Sequence, residues 1–310
     1  MDRTELPARS RPWRRLLLAA AVTAVAAAGC GGAVWIYFHP PLTRLDGVVY
    51  GQRGDRSLTM DVLRPARPNG FGVAFLASGG WKSPAAGAAP AWPLAPLLRR
   101  GYTVFVVCHV SQPEATVMEI IADAHRSVRF IRRHATEYGI DSQRLGVAGG
   151  SAGGHLSLML AACGGPGPAD AVDPVDRESS AVQAAAVFYP VTDLLDLTGS
   201  TEDPGDGGPP KSFVAAFGPD AVDPDKWPAI GRQCSPLSFV TADFPPTLIY
   251  HGDADPLAPL RQSLRLQRRA ADLGREVEVV VHRGGKHGWW TMFWDVRRFA
   301  DWFDRRLRAL

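Results

Sequence analysis

The segment VAGGSAGGHL, residues 147–156, decides the fold of this chain. The residues before it read as a short buried strand and residues 156–162 as the apolar start of a helix, so Ser151 lies at the hinge between them. A Gly-x-Ser-x-Gly hinge forms a strained elbow, in which Gly149 and Gly153 leave room for neighbouring backbone. The segment therefore predicts Ser151 as a nucleophile.

A nucleophilic serine needs backbone donors for the oxyanion that it creates. The helix N-terminus directs amide groups at the space over the serine, which makes the N–H of Ala152 the first expected donor. The second donor is expected from the loop after the first buried strand, where Gly79 and Gly80 can bring backbone N–H groups close to the oxyanion. Trp81 beside them is expected either as a substrate-binding wall of the pocket or as part of the core.

Apolar stretches without alternation recur along the chain and are separated by helical patterns. This arrangement favours an α/β fold with a mostly parallel central sheet, helices on both faces, and a site beyond the carboxyl ends of the strands. The predicted buried strands cover residues 72–77, 102–108, 144–148, 184–189, 246–251 and 277–282.

A long connection rich in Gly, Pro and Asp separates two of the late strands. It covers residues 193–243 and is longer than an ordinary connection, which favours a lid-like or substrate-recognition insertion. Within it, residues 201–210 are equally consistent with a plain disordered surface loop.

The partners of Ser151 should follow at later strand ends, the acid before the histidine. The run HGDADPLAP, residues 251–259, follows a predicted strand and offers Asp255, with Asp253 as the rival. His287 lies on the loop after the last strand and is the expected general base. Three residue types in this order at three strand ends indicate a Ser-Asp-His triad.

The remaining histidines in the strand region have simpler interpretations. His109, His251 and His282 each end a predicted strand and are expected to be structural. His155 follows the elbow on the helix and is expected to pack rather than react.

The N-terminus favours export of the domain that follows it. Residues 1–15 are basic and are predicted to be cytoplasmic, and residues 16–38 are free of charge and long enough for a membrane anchor. The alternatives are a cleaved signal segment with secretion, or a lipoprotein attached at Cys30. Residues 39–47 are interpreted as a linker, and residues 48–310 as one catalytic domain on the extracytoplasmic side.

Composition narrows the class of protein further. With 310 residues, 46% hydrophobic and 21% charged, the chain can form one large α/β domain. A net charge of +3 does not favour a nucleic-acid partner. The few cysteines fit neither a metal site nor a disulfide framework, and a Cys163–Cys234 bridge has no support in the sequence.

From about Leu58 to the C-terminus, the chain resembles the α/β hydrolases of the carbohydrate-esterase and feruloyl-esterase-like group, which is related to the hormone-sensitive-lipase type. The resemblance is carried by SGGW at 78–81, YGID at 138–141, RLGV at 144–147, the elbow, and HGDAD at 251–255. It implies Ser151 as nucleophile, Asp255 as acid and His287 as base.

Two adjacent positions depart from the pattern of that group. The group commonly has His-Gly-Gly-Gly-Trp where this chain has Ala77-Ser78-Gly79-Gly80-Trp81, so the histidine is absent and Ser78 replaces the first glycine. Backbone donors at Gly79 and Gly80 survive the change.

These observations predict a serine esterase that acts on a small-molecule or carbohydrate ester, acetyl or feruloyl, without a metal or an organic cofactor. Two alternatives remain at this point. One is a peptidase of the prolyl-oligopeptidase type, which shares the order of the triad, and the other is a non-catalytic surface binding protein built on a hydrolase scaffold. The sequence does not predict the oligomeric state.

Overall fold

The computed structural model describes residues 12–309, with the backbone alone at several positions between 12 and 27. The chain divides after Pro40 into two compact units. The first contains one helix, α1 (Pro12–Phe38). Within the described part of the chain, no helix is both long and apolar enough to cross a membrane.

The predicted membrane anchor over residues 16–38 is therefore not supported. That prediction came from the charge-free composition and the length of the segment and from the basic residues before it. Most of the predicted cytoplasmic stretch, residues 1–15, lies outside the described residues.

The second unit alternates strands with helices. Its strands are β1 (Leu42–Arg53), β2 (Arg56–Pro65), β3 (Gly72–Leu76), β4 (Thr103–Cys108), β5 (Leu145–Gly150), β6 (Ala184–Phe188), β7 (Thr247–Gly252) and β8 (Val277–His282). Its α-helices are α2 (Ala95–Arg99), α3 (Val117–Arg133), α4 (Ala135–Tyr138), α5 (Ala152–Cys163), α6 (Pro174–Arg177), α7 (Trp227–Gln233), α8 (Arg261–Asp272) and α9 (Met292–Leu307). Short 3-10 helices cover Trp92–Leu94, Val214–Phe217, Pro219–Val222 and Pro236–Phe239.

The strands of the described chain form one sheet in the order β1-β2-β4-β3-β5-β6-β7-β8. β1 and β2 pair antiparallel, β2 pairs antiparallel with β4, and the strands from β3 to β8 run parallel to one another. The predicted mostly parallel sheet is confirmed. The carboxyl ends of β5, β7 and β8 lie at the same edge, which is where the sequence places the candidate residues.

Helices cover both faces of this sheet, as predicted. Successive side chains of β4 point alternately into two hydrophobic cores. Phe105 and Val107 belong to the core beneath α3, α5 and α8, whereas Val104 and Val106 belong to the core beneath α2 and α9. Burial on both faces explains why the strands read as unbroken apolar runs.

The predicted linker over residues 39–47 was too long. β1 begins at Leu42, which pairs with Pro65 on β2. A shift of register between Leu45 and Val48, with Gly47 at φ +68°, interrupts the alternation of side chains and hides the start of the strand.

The connection between β6 and β7 is not a detached flap. Trp227, Phe217 and Cys234 are buried there in the same core as α5. Cys163 and Cys234 are free thiols, so the bridge that the sequence left unsupported is absent.

Candidate active site

Ser151 occupies a strained turn between β5 and α5. Its backbone has φ 54° and ψ −122°, a region that residues with a side chain rarely adopt. A Cβ at Gly149 would lie 2.4 Å from the carbonyl oxygen of Gly153, and one at Gly153 would lie 2.1 Å from that of Leu76. Both glycines of the motif are thus required by close backbone contacts.

The structure brings Ser151, His287 and Asp255 together. The Nε2 atom of His287 lies 2.7 Å from Oγ of Ser151, and its Nδ1 atom lies 2.8 Å from Oδ2 of Asp255. Because an ionised carboxylate can only accept, Nδ1 carries the proton and Nε2 is the acceptor for the serine hydroxyl. This is the tautomer that a general base requires.

The surroundings of Asp255 keep its carboxylate charged. Burial raises its pKa, but hydrogen bonds to His251 and His287 outweigh that effect and hold the pKa well below its usual range. The other carboxylate oxygen accepts the N–H groups of Leu257 at 2.9 Å and Ala258 at 3.0 Å. Fixed donors on both oxygens orient the acid toward the imidazole.

Asp253, the rival acid, has a different contact. Its Oδ1 atom accepts the N–H of Gly284 at 2.6 Å. Gly284 lies on the loop that carries His287, so Asp253 braces that loop instead of contacting the imidazole.

The structure separates the two predicted donors on the loop after β3. The N–H of Gly79 donates to the carbonyl of Lys82 at 3.0 Å, and the N–H of Lys82 donates back at 3.0 Å. The turn therefore uses the N–H group of Gly79. Among the described residues, neither the N–H of Gly80 nor that of Ala152 has an acceptor, and both residues line the same pocket as Ser151.

Trp81 is buried and borders the pocket. Its Nε1–H donates to Nδ1 of His155 at 3.2 Å, and the second ring nitrogen of His155 donates to the carbonyl of Cys234 at 2.6 Å. Burial lowers the pKa of His155 to about 4, so the ring is neutral at pH 7. His155 therefore packs as predicted, and it links the loop of Trp81 to the connection between β6 and β7.

A pocket of about 50 Å³ opens beside the serine. Its walls are mostly apolar and come largely from the connection between β6 and β7. Its lining residues are Gly80, Trp81, Ser151, Ala152, Val191, Leu194, Leu197, Glu202, Pro210, Phe213, Leu257 and His287.

A larger cavity, of about 810 Å³, lies elsewhere, between β1 and α3. Its charged groups are largely paired, for example Arg53 with Asp123 at 2.6 Å and Arg126 with Asp173 at 2.6 Å. Size alone therefore does not identify the candidate active site. The candidate is the smaller pocket, which is lined by Ser151 and His287.

Tyr189, at the end of β6, contacts the imidazole but was missed by sequence reasoning. Its ring centroid lies 4.5 Å from that of His287, and its backbone φ is 33°. Trp81, Ser151 and Tyr189 are the non-glycine residues with positive φ in the described chain, and all three surround the site. Strain of this kind concentrates at functional sites, but it has no signal in the sequence at Tyr189.

A parallel sheet with a serine elbow after β5, an acid after β7 and a histidine after β8 is the arrangement of an α/β hydrolase. The chain belongs to the BD-FAE family, whose family model matches residues 60–270. The resemblance stated from the sequence is thereby confirmed.

Known proteins resemble this chain over different extents. Esterase LipQ of Mycobacterium tuberculosis is 30% identical over 184 residues, which are 58% of this chain and 41% of LipQ. Acylamino-acid-releasing enzyme of Arabidopsis thaliana is 29% identical over 184 residues, 56% of this chain and 21% of that enzyme. The chain thus matches less than half the length of either protein.

A solved structure of a truncated carbohydrate esterase from gut microbiota matches more completely. It aligns with a TM-score of 0.68 and 25% identity. The alignment covers 84% of this chain and 96% of the esterase chain. The similarity therefore extends over nearly the whole of that chain.

Proposed function

We propose that this protein is a serine hydrolase that cleaves carboxylic esters through an acyl-enzyme. The observation that carries the proposal is the continuous hydrogen-bonded chain from Ser151 through His287 to Asp255, at 2.7 Å and 2.8 Å. Two unoccupied backbone donors, Gly80 and Ala152, border the same pocket. The similarity to an esterase and to a carbohydrate esterase supports the same reaction.

The proposed reaction has two halves. In the first, Oγ of Ser151 attacks the ester carbonyl while Nε2 of His287 takes its proton, and Asp255 stabilises the imidazolium that forms. The N–H groups of Gly80 and Ala152 donate to the oxyanion. The imidazolium then protonates the departing alkoxide, which leaves as the alcohol.

In the second half, water hydrolyses the acyl-enzyme. His287 takes a proton from water, the hydroxide attacks the acyl carbonyl, and the same two amides stabilise the second oxyanion. Collapse breaks the bond to Oγ, and His287 returns the proton to Ser151. The products are one carboxylic acid and one alcohol, and the enzyme is regenerated.

The pocket supports a short acyl group. A volume of about 50 Å³ is close to the liquid volume of two water molecules, at about 30 Å³ each. An acetyl group fits such a space, whereas a feruloyl group would need the walls from residues 193–243 to move. We therefore favour acetyl esters, with a carbohydrate alcohol as the leaving group by analogy to the carbohydrate esterase.

The test uses purified protein and a p-nitrophenyl ester series from acetate to decanoate, together with acetylated xylan and a feruloyl ester. We expect turnover of the acetate, a decline with chain length, and loss of all activity in Ser151→Ala. Absence of turnover in the wild type, with no labelling of Ser151 by a fluorophosphonate, would contradict the proposal.

A peptidase remains the second candidate, because an acylamino-acid-releasing enzyme is 29% identical to this chain over 184 residues. Such an enzyme would release acylated amino acids. Acetyl-alanyl p-nitroanilide distinguishes the two, since an esterase leaves this amide intact at enzyme concentrations that consume p-nitrophenyl acetate.

A binding protein without catalysis is the third candidate, and the fluorophosphonate separates it from both enzymes. The reagent labels Ser151 only when His287 activates the hydroxyl. A surface protein that had merely kept the scaffold would remain unlabelled. The complete hydrogen-bonded set of Ser151, His287 and Asp255 argues against that role.

The place of action is a separate proposal. We infer export, because a basic stretch followed by the charge-free residues 16–38 is the composition of an export signal. Residues 193–243 are proposed as the substrate-recognition segment of the exported enzyme. Fractionation of cells that express the full chain with a C-terminal tag measures the location, and recovery of all enzyme in the cytoplasmic fraction would contradict export.

A further inference from the structure

Ser78 lies immediately before the turn that presents Gly80. Its hydroxyl oxygen is 2.9 Å from Nε2 of His109, which follows the neighbouring strand β4. The family pattern places a glycine where Ser78 stands, so this hydrogen bond is a feature of this chain's own side chains.

The tautomer of His109 fixes the direction of that hydrogen bond. Its Nδ1 atom lies 2.8 Å from the carbonyl oxygen of Val110, which can only accept, so Nδ1 carries the proton. Nε2 is then the acceptor, and the hydroxyl of Ser78 donates to it. Burial lowers the pKa of His109, so the neutral ring persists at pH 7.

Ser78 also contacts the nucleophile helix. Its carbonyl accepts the N–H of Gly153 at 3.0 Å, one residue beyond Ala152. One residue therefore joins three parts: the turn of Gly80, the first turn of α5, and the segment after β4. A shift of Ser78 changes the separation between the two unoccupied amides.

The segment after β4 holds the same turn at a second point. The N–H of Gln112 donates to the carbonyl of Trp81 at 3.0 Å, and its side-chain amide donates to the carbonyl of Gly80 at 3.3 Å. Both carbonyls are held from outside the pocket. Neither contact uses the amide of Gly80, which borders the pocket of Ser151.

We propose that Ser78 and His109 are positioning residues, which hold the turn of Gly80 against helix α5 so that the amides of Gly80 and Ala152 converge on one oxyanion. The inference rests on the proposed ester hydrolysis. The hydroxyl of Ser78 and the imidazole of His109 follow two neighbouring strands. Their role is to fix the backbone donors that the reaction uses.

The chain supplies a matched control for this pair. His125 and Ser180 form another partly buried serine–histidine hydrogen bond, also 2.9 Å long. Ser180 lies before β6 and therefore at the amino end of the sheet, opposite the site. Ser180→Ala removes an equivalent hydroxyl without touching the oxyanion turn.

The experiment compares Ser78→Ala, His109→Phe, His109→Gln and Ser180→Ala with the wild type. Phenylalanine keeps a planar ring but removes the acceptor, whereas the amide oxygen of glutamine can accept from Ser78. The readouts are kcat and KM for p-nitrophenyl acetate, the inhibition constant of an aryl trifluoromethyl ketone, and the thermal midpoint. The ketone forms a tetrahedral adduct on Ser151 whose oxyanion needs the same two amides.

In Ser78→Ala and His109→Phe we expect kcat to fall at least about tenfold with KM nearly unchanged, because small displacements of catalytic groups have effects of this size. The inhibition constant of the ketone should rise by the same factor by which kcat/KM falls. His109→Gln should recover most of the rate, and Ser180→Ala should keep the wild-type kcat even where its thermal midpoint falls.

Three results would overturn the inference. If the wild type turns over and Ser78→Ala and His109→Phe lose no more kcat than Ser180→Ala, the pair has only a structural role and the proposed function stands. If a loss of kcat is not matched by weaker ketone binding, the pair does not act on the oxyanion. A wild type without turnover removes the proposed function itself, and this inference with it.

Discussion

The Nε2 atom of His251 lies 3.5 Å from Oδ2 of Asp255, the same oxygen that lies 2.8 Å from Nδ1 of His287. The same nitrogen donates to the carbonyl of Ala258 at 2.6 Å, while Nδ1 of His251 accepts from the hydroxyl of Ser263, 2.7 Å away. One oxygen of the acid thus lies near two imidazoles. One belongs to the reaction, and the other holds the loop after β7 in place.

Replacing the acid should abolish most of the activity and spare the fold. In Asp255→Asn the side-chain amide no longer specifies which nitrogen of His287 carries the proton, so we expect kcat to fall about 10³- to 10⁴-fold. Steady-state kinetics with p-nitrophenyl acetate measures the change.

Asp253→Asn is the matched control for that variant. It replaces the neighbouring carboxylate, which accepts the N–H of Gly284 at 2.6 Å. A charge-assisted hydrogen bond is weakened there, so we expect a small effect on kcat and a modest loss of stability. An equal loss of kcat in both variants would contradict the assignment of Asp255.

The elbow should be more stable without its side chain. Ser151 has φ 54°, where a Cβ costs about 1–3 kcal/mol and glycine is unstrained. Glycine loses about 0.5–1 kcal/mol more than alanine in conformational entropy when the chain folds, which partly offsets the relief of strain. Ser151→Gly should therefore be about 1 kcal/mol more stable than Ser151→Ala. Calorimetry should show a thermal midpoint about 2–4 °C higher for the glycine variant, and a lower midpoint would contradict the strain argument.

Enlarging the pocket should change the preferred acyl length. Phe213 lines the pocket and packs against Trp81 with ring centroids 5.5 Å apart. In Phe213→Ala we expect kcat/KM for butyrate and hexanoate esters to rise relative to acetate, by about 10-fold or more, because each methylene in an apolar pocket contributes about 1–3 kcal/mol.

Trp290→Ala is the control for the change of acyl length. Trp290 is 86% exposed and does not line the pocket, so its removal should leave the chain-length profile unchanged. A profile of Phe213→Ala that coincides with that of the wild type would show that the pocket at the elbow does not hold the acyl group.

Acid should destabilise the protein partly through His155. The pKa of this buried ring falls from 6.5 in the unfolded chain to about 4 in the folded one. Between those values the unfolded chain binds the proton and the folded chain does not, so the free energy of unfolding falls as pH falls through this window. Above pH 6.5 the group is neutral in both states and has no effect.

His155→Gln tests this linkage. An amide can accept from Trp81 and donate to the carbonyl of Cys234, as the neutral imidazole does. Urea unfolding at pH 7, 6 and 5 should show a slope with pH that is smaller than the wild-type slope by up to about 1.4 kcal/mol per pH unit. Parallel slopes in the two proteins would mean that His155 is not the group that titrates.

The sheet and the placement of the three candidate residues at strand ends could be predicted because their signals are local. Unbroken apolar runs indicate buried parallel strands, and Ser151, Asp255 and His287 each follow such a run in the order that the fold requires. The choice between Asp255 and Asp253 could not be made from the local pattern, because it depends on which carboxylate the loop turns toward the imidazole.

Other features depend on contacts between distant segments. The pairing of Ser78 with His109 requires that β3 and β4 be neighbours, and the loss of Gly79 as a donor requires the turn to Lys82. Tyr189 belongs to no motif, and the bulge near Gly47 obscured the start of β1. The roles of the reactive residues stay predictions until the variants are measured.

The bond from His155 to Cys234 ends on a backbone carbonyl, which every amino acid possesses. Side chains along residues 193–243 can therefore diversify while the link to the nucleophile helix persists. Under the proposed roles, residues 193–243 set selectivity while Ser151, Asp255 and His287 carry out the reaction. Libraries that randomise Leu194, Leu197 and Phe213 could then seek new acyl preferences without changing the three reactive residues.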